Sequence, residues 1–201
     1  YLYEKFDTKI IAPLHGPIIR ENPTKYINLY KDWSSELKYS KREQGYKHVN
    51  IFYISSYGNT EAMAKDIYHG ADSVEGIRAS LYDIGSLETE NMITLLEESD
   101  AIVIGTPTIN GDAVKPVWDL LSNVNLIEVT GKLAFVFGSY GWSGEAFDML
   151  QARIKGLKFR VPLQPLRLKL IPTEEELKYC YKYGVEIAEL ANGKFVEMTL
   201  D

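Results

Sequence analysis

The sequence predicts an α/β fold: a three-layer sandwich whose middle layer is a five-stranded parallel β-sheet. Two observations indicate it. From residue 46 onward, short apolar segments alternate with segments of helical periodicity, which is typical of strand–helix–strand units. Two of the apolar segments, 101–104 and 133–137, are uninterrupted, as expected for strands covered on both faces. Right-handed crossovers combined with the strand order 2-1-3-4-5, one of the common orders of doubly wound sheets, would place the switch point between the first and third strands.

Five strands and five helices alternate in the predicted main domain, and each is inferred from the period of its apolar residues. The strands are predicted near residues 48–54, 77–82, 100–105, 132–138 and 158–165. The helices are predicted near residues 60–72, 88–97, 113–122, 144–154 and 173–191.

The first 45 residues are predicted to form a short strand-loop-helix extension ahead of this domain. Residues 9–19 indicate a strand that breaks into a loop rich in Pro and Gly. Asn22 and Pro23 are typical of a helix cap and a first helical residue, and apolar residues keep helical spacing over 24–37. Because a strand and one helix cannot bury a core unaided, we expect this extension to need a partner.

Composition and charge restrict the class of protein. The chain has 201 residues, 45% of them hydrophobic, and no apolar run approaches the roughly 20 residues that span a bilayer. Its single cysteine, Cys180, agrees with a reducing compartment, so we expect a cytoplasmic protein that contacts no membrane. Residues 48–201 carry 13 Lys or Arg against 22 Asp or Glu, which argues against nucleic acid as a partner.

The loop between the first strand and its helix is the first candidate site. It consists of Ser55, Ser56, Tyr57, Gly58, Asn59 and Thr60. Hydroxyl and amide groups beside a helix N-terminus form an anion site, and Gly58 can adopt positive φ. The loop has no Lys or Arg and no P-loop pattern, which favours a phosphate monoester that is held rather than transferred. An ordinary helix cap would explain the same residue types.

Two later strands end in loops of a similar kind. The third strand is followed by Thr106, Pro107, Thr108, Ile109, Asn110 and Gly111. The fourth strand is followed by Ser139, Tyr140, Gly141, Trp142 and, at the next helix, Gly144. In the predicted order these strands are neighbours, so the three loops converge and could clasp a flat ring, with Trp142 and either Tyr140 or Tyr57 on its faces. Alternatively, Trp142 only covers the sheet edge and Pro107 only stiffens a turn.

These three loops resemble those of the flavodoxin family over residues 46–191, and more closely those of the FMN domain of flavodiiron proteins, or A-type flavoproteins. The resemblance implies a flavodoxin-like sandwich in which the loop residues bind FMN. In that family a metallo-β-lactamase-like domain with a di-iron centre precedes the FMN domain. Residues 1–45 are therefore predicted to be the end of that domain plus a linker, and residues 46–201 the FMN domain. His15 matches an iron ligand of the family, but the other ligands are missing, so a di-iron centre is expected only in a full-length parent.

The resemblance also implies a function. Electrons would pass through FMN to a di-iron site that reduces dioxygen or nitric oxide, with this chain alone as the electron-transfer half and with no catalytic residue of its own. It implies a redox partner such as rubredoxin or an NAD(P)H-dependent reductase, and a homodimer of the full-length parent. Two alternatives remain open: a free-standing flavodoxin or NAD(P)H-quinone reductase, and a flavin-free interaction module on the same fold.

Overall fold

The computed structural model describes residues 8–35 and 42–194. The chain divides into two units, Tyr1–Ser40 and Lys41–Asp201, whose boundary lies five residues before the predicted one. Residue 37, the predicted end of the first helix, lies outside the described part of the chain.

The first unit contains one helix, α1 (Pro23–Ser35), in its described part. Ahead of it, Ile11 and Ile19 form an isolated antiparallel bridge, where the sequence predicted a short strand. The segment between them contains two prolines, which lack the N–H that a longer ladder would need. Before α1, the Asn22 Oδ1 accepts a hydrogen bond from the Lys25 N–H at 3.3 Å, as expected for a cap.

The second unit is built on a five-stranded parallel sheet of order β2-β1-β3-β6-β7, which confirms the predicted order. Its strands are β1 (Lys47–Tyr53), β2 (Ile77–Asp83), β3 (Ala101–Gly105), β6 (Leu133–Tyr140) and β7 (Leu166–Lys169). A separate two-stranded hairpin, β4 (Thr108–Ile109) and β5 (Asp112–Ala113), follows β3. The helices are α2 (Asn59–Asp72), α3 (Thr89–Glu97), α4 (Lys115–Ser122), α5 (Leu126–Val129), α6 (Glu145–Gly156) and α7 (Glu174–Ala191).

The fifth strand does not lie at residues 158–165, so that prediction is wrong. The strand that pairs with β6 over several residues is Leu166–Lys169. Within 158–165 a single bridge, at Arg160, reaches the start of β6. Pro162 and Pro165 have no N–H to donate to a ladder, so regular pairing begins only after the second proline.

Apolar side chains pack on both faces of the sheet, which makes three layers. Helices α2 and α7 bury their apolar residues on one face, and α3, α4 and α6 bury theirs on the other. The central strands β3 and β6 supply buried residues to both clusters. This arrangement is why their sequences are continuous apolar runs.

Helices α2 and α7 touch through their backbones at two glycines, a contact we call the glycine crossing (Gly70 and Gly184). A Cβ added at Gly184 would lie 2.0 Å from the Ile67 carbonyl oxygen, and one added at Gly70 would lie 2.0 Å from the Tyr181 oxygen. Any side chain at either position would therefore overlap the facing helix. The two helices can pack this closely only because both residues are glycine.

A charged cluster lies at the start of β1. The Asp100 carboxylate accepts a hydrogen bond from the His48 backbone N–H at 2.9 Å and forms ion pairs with Arg42 and Lys47, each at 3.1 Å. Partial burial opposes ionisation of Asp100, but the His48 N–H and the two cations outweigh it, so the pKa of Asp100 is lowered. The cluster is at the opposite end of β1 from the loop that contains Ser55.

Candidate functional site

The loop after β1 presents an open helix N-terminus. Gly58 precedes α2 with a φ of 83°, the left-handed conformation that glycine adopts readily, and no side chain caps the helix. The first backbone hydrogen bond of the turn runs from the Ala62 N–H to the Gly58 oxygen. The first N–H groups of α2 therefore lack a side-chain acceptor, which is the arrangement that binds anions. The alternative that an Asn or Thr side chain in this loop merely caps the helix is therefore wrong.

Two buried hydroxyls at this edge of the sheet lack a hydrogen-bond partner within the described residues. They are Ser55 Oγ, in the loop after β1, and Thr108 Oγ1, at the start of the β4–β5 hairpin. A buried hydroxyl without a partner costs about 1–3 kcal/mol. Both groups therefore fit a site whose polar ligand completes their hydrogen bonding.

The Thr60 hydroxyl connects two of the three loops. Its side chain is 1% exposed, and its Oγ1 lies 3.0 Å from the Oγ of Ser139, at the end of β6. Either oxygen can be the donor, and each retains capacity for a further hydrogen bond. The first turn of α2 and the end of β6 are thus held together at this edge of the sheet.

The segment after β3 is a hairpin rather than the loop that was predicted. Its two-residue turn consists of Asn110 and Gly111, with φ of 53° and 74°, as in a type I′ turn. At its base the buried Thr106 hydroxyl donates to the Pro107 oxygen at 2.9 Å. This hairpin places Thr108 and Ile109 beside the loop after β1, because β3 and β1 are adjacent strands.

The third segment begins within β6 and ends at α6. Ser139 and Tyr140 are the last residues of β6, and the Tyr140 ring packs edge-on against Phe147 with 6.1 Å between ring centroids. Gly144 precedes α6, and an added Cβ there would lie 2.9 Å from the Phe147 ring. Trp142 is 93% exposed, so its indole is available to cover a ligand.

The three segments converge on an open cleft of about 280 Å³. Its walls are formed by Tyr57, Asn59, Pro107, Thr108, Ile109, Ser139, Tyr140, Gly141 and Leu170. The other predicted site residues lie in the same segments but not on these walls: Ser55, Ser56, Gly58, Thr60, Thr106, Asn110, Gly111, Trp142 and Gly144. The sequence did not predict Leu170, which follows the strand whose position was predicted wrongly.

The described histidines and the single cysteine bear on the predicted metal and nucleophile roles. Within residues 8–35 and 42–194, no group of three or more His, Cys, Asp or Glu is placed to hold a metal ion. His15 is exposed in the first unit, and its role as an iron ligand stays a prediction. Cys180 is fully buried in α7, and burial raises the pKa of its thiol to about 12, so it is a packed residue rather than a nucleophile.

Comparison with known proteins identifies the family. The family model described as Flavodoxin matches residues 51–184. The chain belongs to the flavodoxin family. Over 200 residues it is 40% identical to the type A flavoprotein fprA of Rhodobacter capsulatus, covering 100% of this chain and 46% of that protein. It thus spans about half the length of this relative and of the flavo-diiron protein FprA2 of Clostridium acetobutylicum, of which it covers 46%.

Two solved structures resemble this flavodoxin-family chain to different extents. The flavodiiron protein from Giardia intestinalis is 28% identical with a TM-score of 0.70, and the match covers 96% of this chain and 46% of that one. A flavodoxin from the domain Archaea is also 28% identical, with a TM-score of 0.64, covering 72% of this chain and 99% of that one. The flavodoxin-like fold and the resemblance to flavodiiron proteins are therefore confirmed.

The cofactor expected from the resemblance, FMN, is that of the flavodoxin family, and the site fits it. The uncapped α2 and the unpartnered Ser55 hydroxyl suit the phosphate. The apolar walls contributed by Pro107 and Ile109 suit a flat ring.

In the described part of the chain, no helix is both long enough and apolar enough to cross a membrane.

Proposed function

We propose that this chain binds FMN and transfers electrons as the FMN domain of a flavodiiron oxidoreductase that reduces dioxygen or nitric oxide. The observation that carries the proposal is the convergence of three loops on one cleft, beside an uncapped helix and two buried hydroxyls without partners. Buried polar groups normally have hydrogen-bond partners, so these two hydroxyls favour a site for a polar ligand over an interaction module.

The phosphate end of the site uses neutral groups. Ser55, Ser56, Asn59 and Thr60 would donate hydrogen bonds, together with the first N–H groups of α2, whose dipole favours an anion. No Lys or Arg lies in the loop, and Lys65 is already paired with Glu61 at 2.7 Å. Such a site would hold a phosphate without promoting its transfer.

The ring end of the site combines apolar walls with polar groups. Pro107, Ile109 and Tyr140 would exclude water from the ring, and the Thr108 hydroxyl would meet its polar edge. Tyr57, 89% exposed, and Trp142 would cover its faces. Bound FMN would supply one- and two-electron redox chemistry, which the protein tunes through hydrogen bonds and nearby charge.

The flavodiiron assignment is preferred over a free-standing flavodoxin because the flavodiiron structure matches a larger share of this chain. The flavodiiron structure matches 96% of the chain, whereas the archaeal flavodoxin matches 72%. We therefore propose that residues 1–45 end a metallo-β-lactamase-like domain, with His15 as an iron ligand of the full-length parent. The same resemblance supports a homodimer of the full-length parent that receives electrons from rubredoxin or an NAD(P)H-dependent reductase. The single cysteine supports a cytoplasmic location.

The proposal is tested by titrating the apo-protein with FMN and with riboflavin while flavin fluorescence is recorded. We expect FMN to bind at least about ten-fold more tightly, because only FMN carries the phosphate. Ser55→Ala should reduce this preference, whereas Ser122→Ala, at an exposed serine at the end of α4, should not. A protein that binds neither flavin would overturn the proposal and favour the interaction module.

A further inference from the structure

We infer that Leu170, on the loop after β7, is a binding residue for the flavin ring and forms a fourth wall of the cleft. This inference rests on the proposed FMN function, which assigned the ring only to the loops after β1, β3 and β6. Leu170 lines the same cleft from the far side of β6.

The backbone of Leu170 is in an unfavourable conformation. Its φ is 61°, in the left-handed region that leucine rarely adopts. Four described residues other than glycine have positive φ: Asn22, Asn110, Lys158 and Leu170. Leu170 is the one with an apolar side chain, although glycine or asparagine would adopt this conformation at lower cost.

The surroundings of Leu170 hold this conformation in place. The Leu170 N–H donates to the Tyr140 oxygen at 2.8 Å, which continues the β6–β7 pairing by one residue. Its side chain faces Gly141: a Cβ added at Gly141 would lie 3.8 Å from the Leu170 Cδ2. The leucine is therefore directed to the segment that was assigned to the ring.

Packing in the apolar core does not explain why a leucine occupies position 170. Its side chain is 58% exposed and belongs to neither apolar cluster of the described residues. A strained backbone that carries an exposed apolar side chain at the wall of a cleft is typical of a binding position. A flavin ring in the cleft would cover that apolar surface, and the resulting burial is worth about ten-fold in affinity.

Leu170→Gly and Leu170→Asn test the inference, because both residues tolerate positive φ and remove the apolar wall. The dissociation constants for FMN and riboflavin and the melting temperature of the apo-protein are measured. We expect both constants to rise about ten-fold and by the same factor, because the ring is common to both ligands. The apo-protein melting temperature should stay unchanged or rise in Leu170→Gly. Ile171→Asn is the matched control, since Ile171 is 78% exposed, adjacent in sequence and outside the cleft.

Several results would overturn the inference. Unchanged constants in both Leu170 variants, with wild-type protein that binds FMN, would refute it and leave the FMN function intact. An equal loss in Ile171→Asn, or a lower melting temperature in both Leu170 variants, would show that the loop serves the fold instead. Wild-type protein that binds neither flavin would refute the FMN function and this inference together.

Discussion

Gly184→Ala should destabilise the protein although alanine is the better helix former. The new Cβ would lie 2.0 Å from the Ile67 oxygen and 2.9 Å from the Ala71 nitrogen, both backbone atoms of α2. Ordinary contacts begin at 3.4 Å, so the two helices would have to separate by more than an ångström. Neither backbone can give way as a flexible side chain would.

The expected magnitude follows from two opposing effects. Overpacking of a well-packed contact costs about 1–3 kcal/mol, and a backbone clash belongs at the upper end. Replacing a helical glycine by alanine recovers about 1 kcal/mol through helix propensity. The net loss of unfolding free energy should be about 2 kcal/mol, which for a domain of this size lowers the melting temperature by roughly 4–8 °C.

Urea denaturation of wild-type protein and two variants gives the measurement. The matched control is Gly156→Ala at the end of α6, where an added Cβ meets nothing within 4 Å. It should leave stability unchanged or raise it by up to about 1 kcal/mol. If Gly184→Ala is at least as stable as the wild type, the backbones of α2 and α7 do not pack closely enough at Gly184 to exclude a methyl group, and the predicted overlap is refuted.

Three further predictions concern buried or charged groups. Ser139→Ala leaves the Thr60 hydroxyl buried without its partner, so stability measured by thermal unfolding should fall by about 1–2 kcal/mol, and no loss would contradict the hydroxyl pair. The Cys180 thiol, with its pKa raised to about 12, should not react with a thiol reagent at pH 8 until urea unfolds the protein; fast reaction of the native protein would place it at the surface. The lowered pKa of Asp100 stabilises the fold above the unfolded value of 3.8, and this stability is lost as the pH falls towards the folded pKa. The urea midpoint of Asp100→Asn should therefore change less between pH 5 and pH 3 than that of wild-type protein. Equal pH profiles of the two proteins would contradict a stabilising role of the Asp100 carboxylate.

Periodicity and residue type were sufficient to predict the central strands and the edge of the sheet at which the three loops converge. The runs 101–104 and 133–137 are buried on both faces, so their apolar continuity indicated central strands. Parallel neighbours place their loops at one edge, so convergence of the three loops followed from the strand order. The match of the sequence to known loop motifs then indicated FMN.

Other features depend on contacts or backbone angles that no local pattern specifies. The pairing of Thr60 with Ser139 joins residues 79 positions apart. The positive φ of Leu170 is set by the end of the β6–β7 pairing, and leucine gives no sign of it. The Asn110–Gly111 turn is different, because Asn-Gly between extended segments is a strong hairpin signal that the ligand-loop interpretation had obscured.

The glycine crossing also has a consequence for the loop after β1, which we propose binds the FMN phosphate. Helix α2 begins at Asn59 in that loop and touches α7 further along, with no side chain between the two backbones to act as a compliant spacer. Rotating or sliding α2 would break this contact, so its N-terminus is fixed before any ligand arrives. The entropy cost of ordering these N–H groups is then incurred during folding, and association with a phosphate requires little reorganisation. Under the proposed function, the two glycines would thus contribute to affinity by keeping the N-terminus of α2 rigid, although neither lines the cleft.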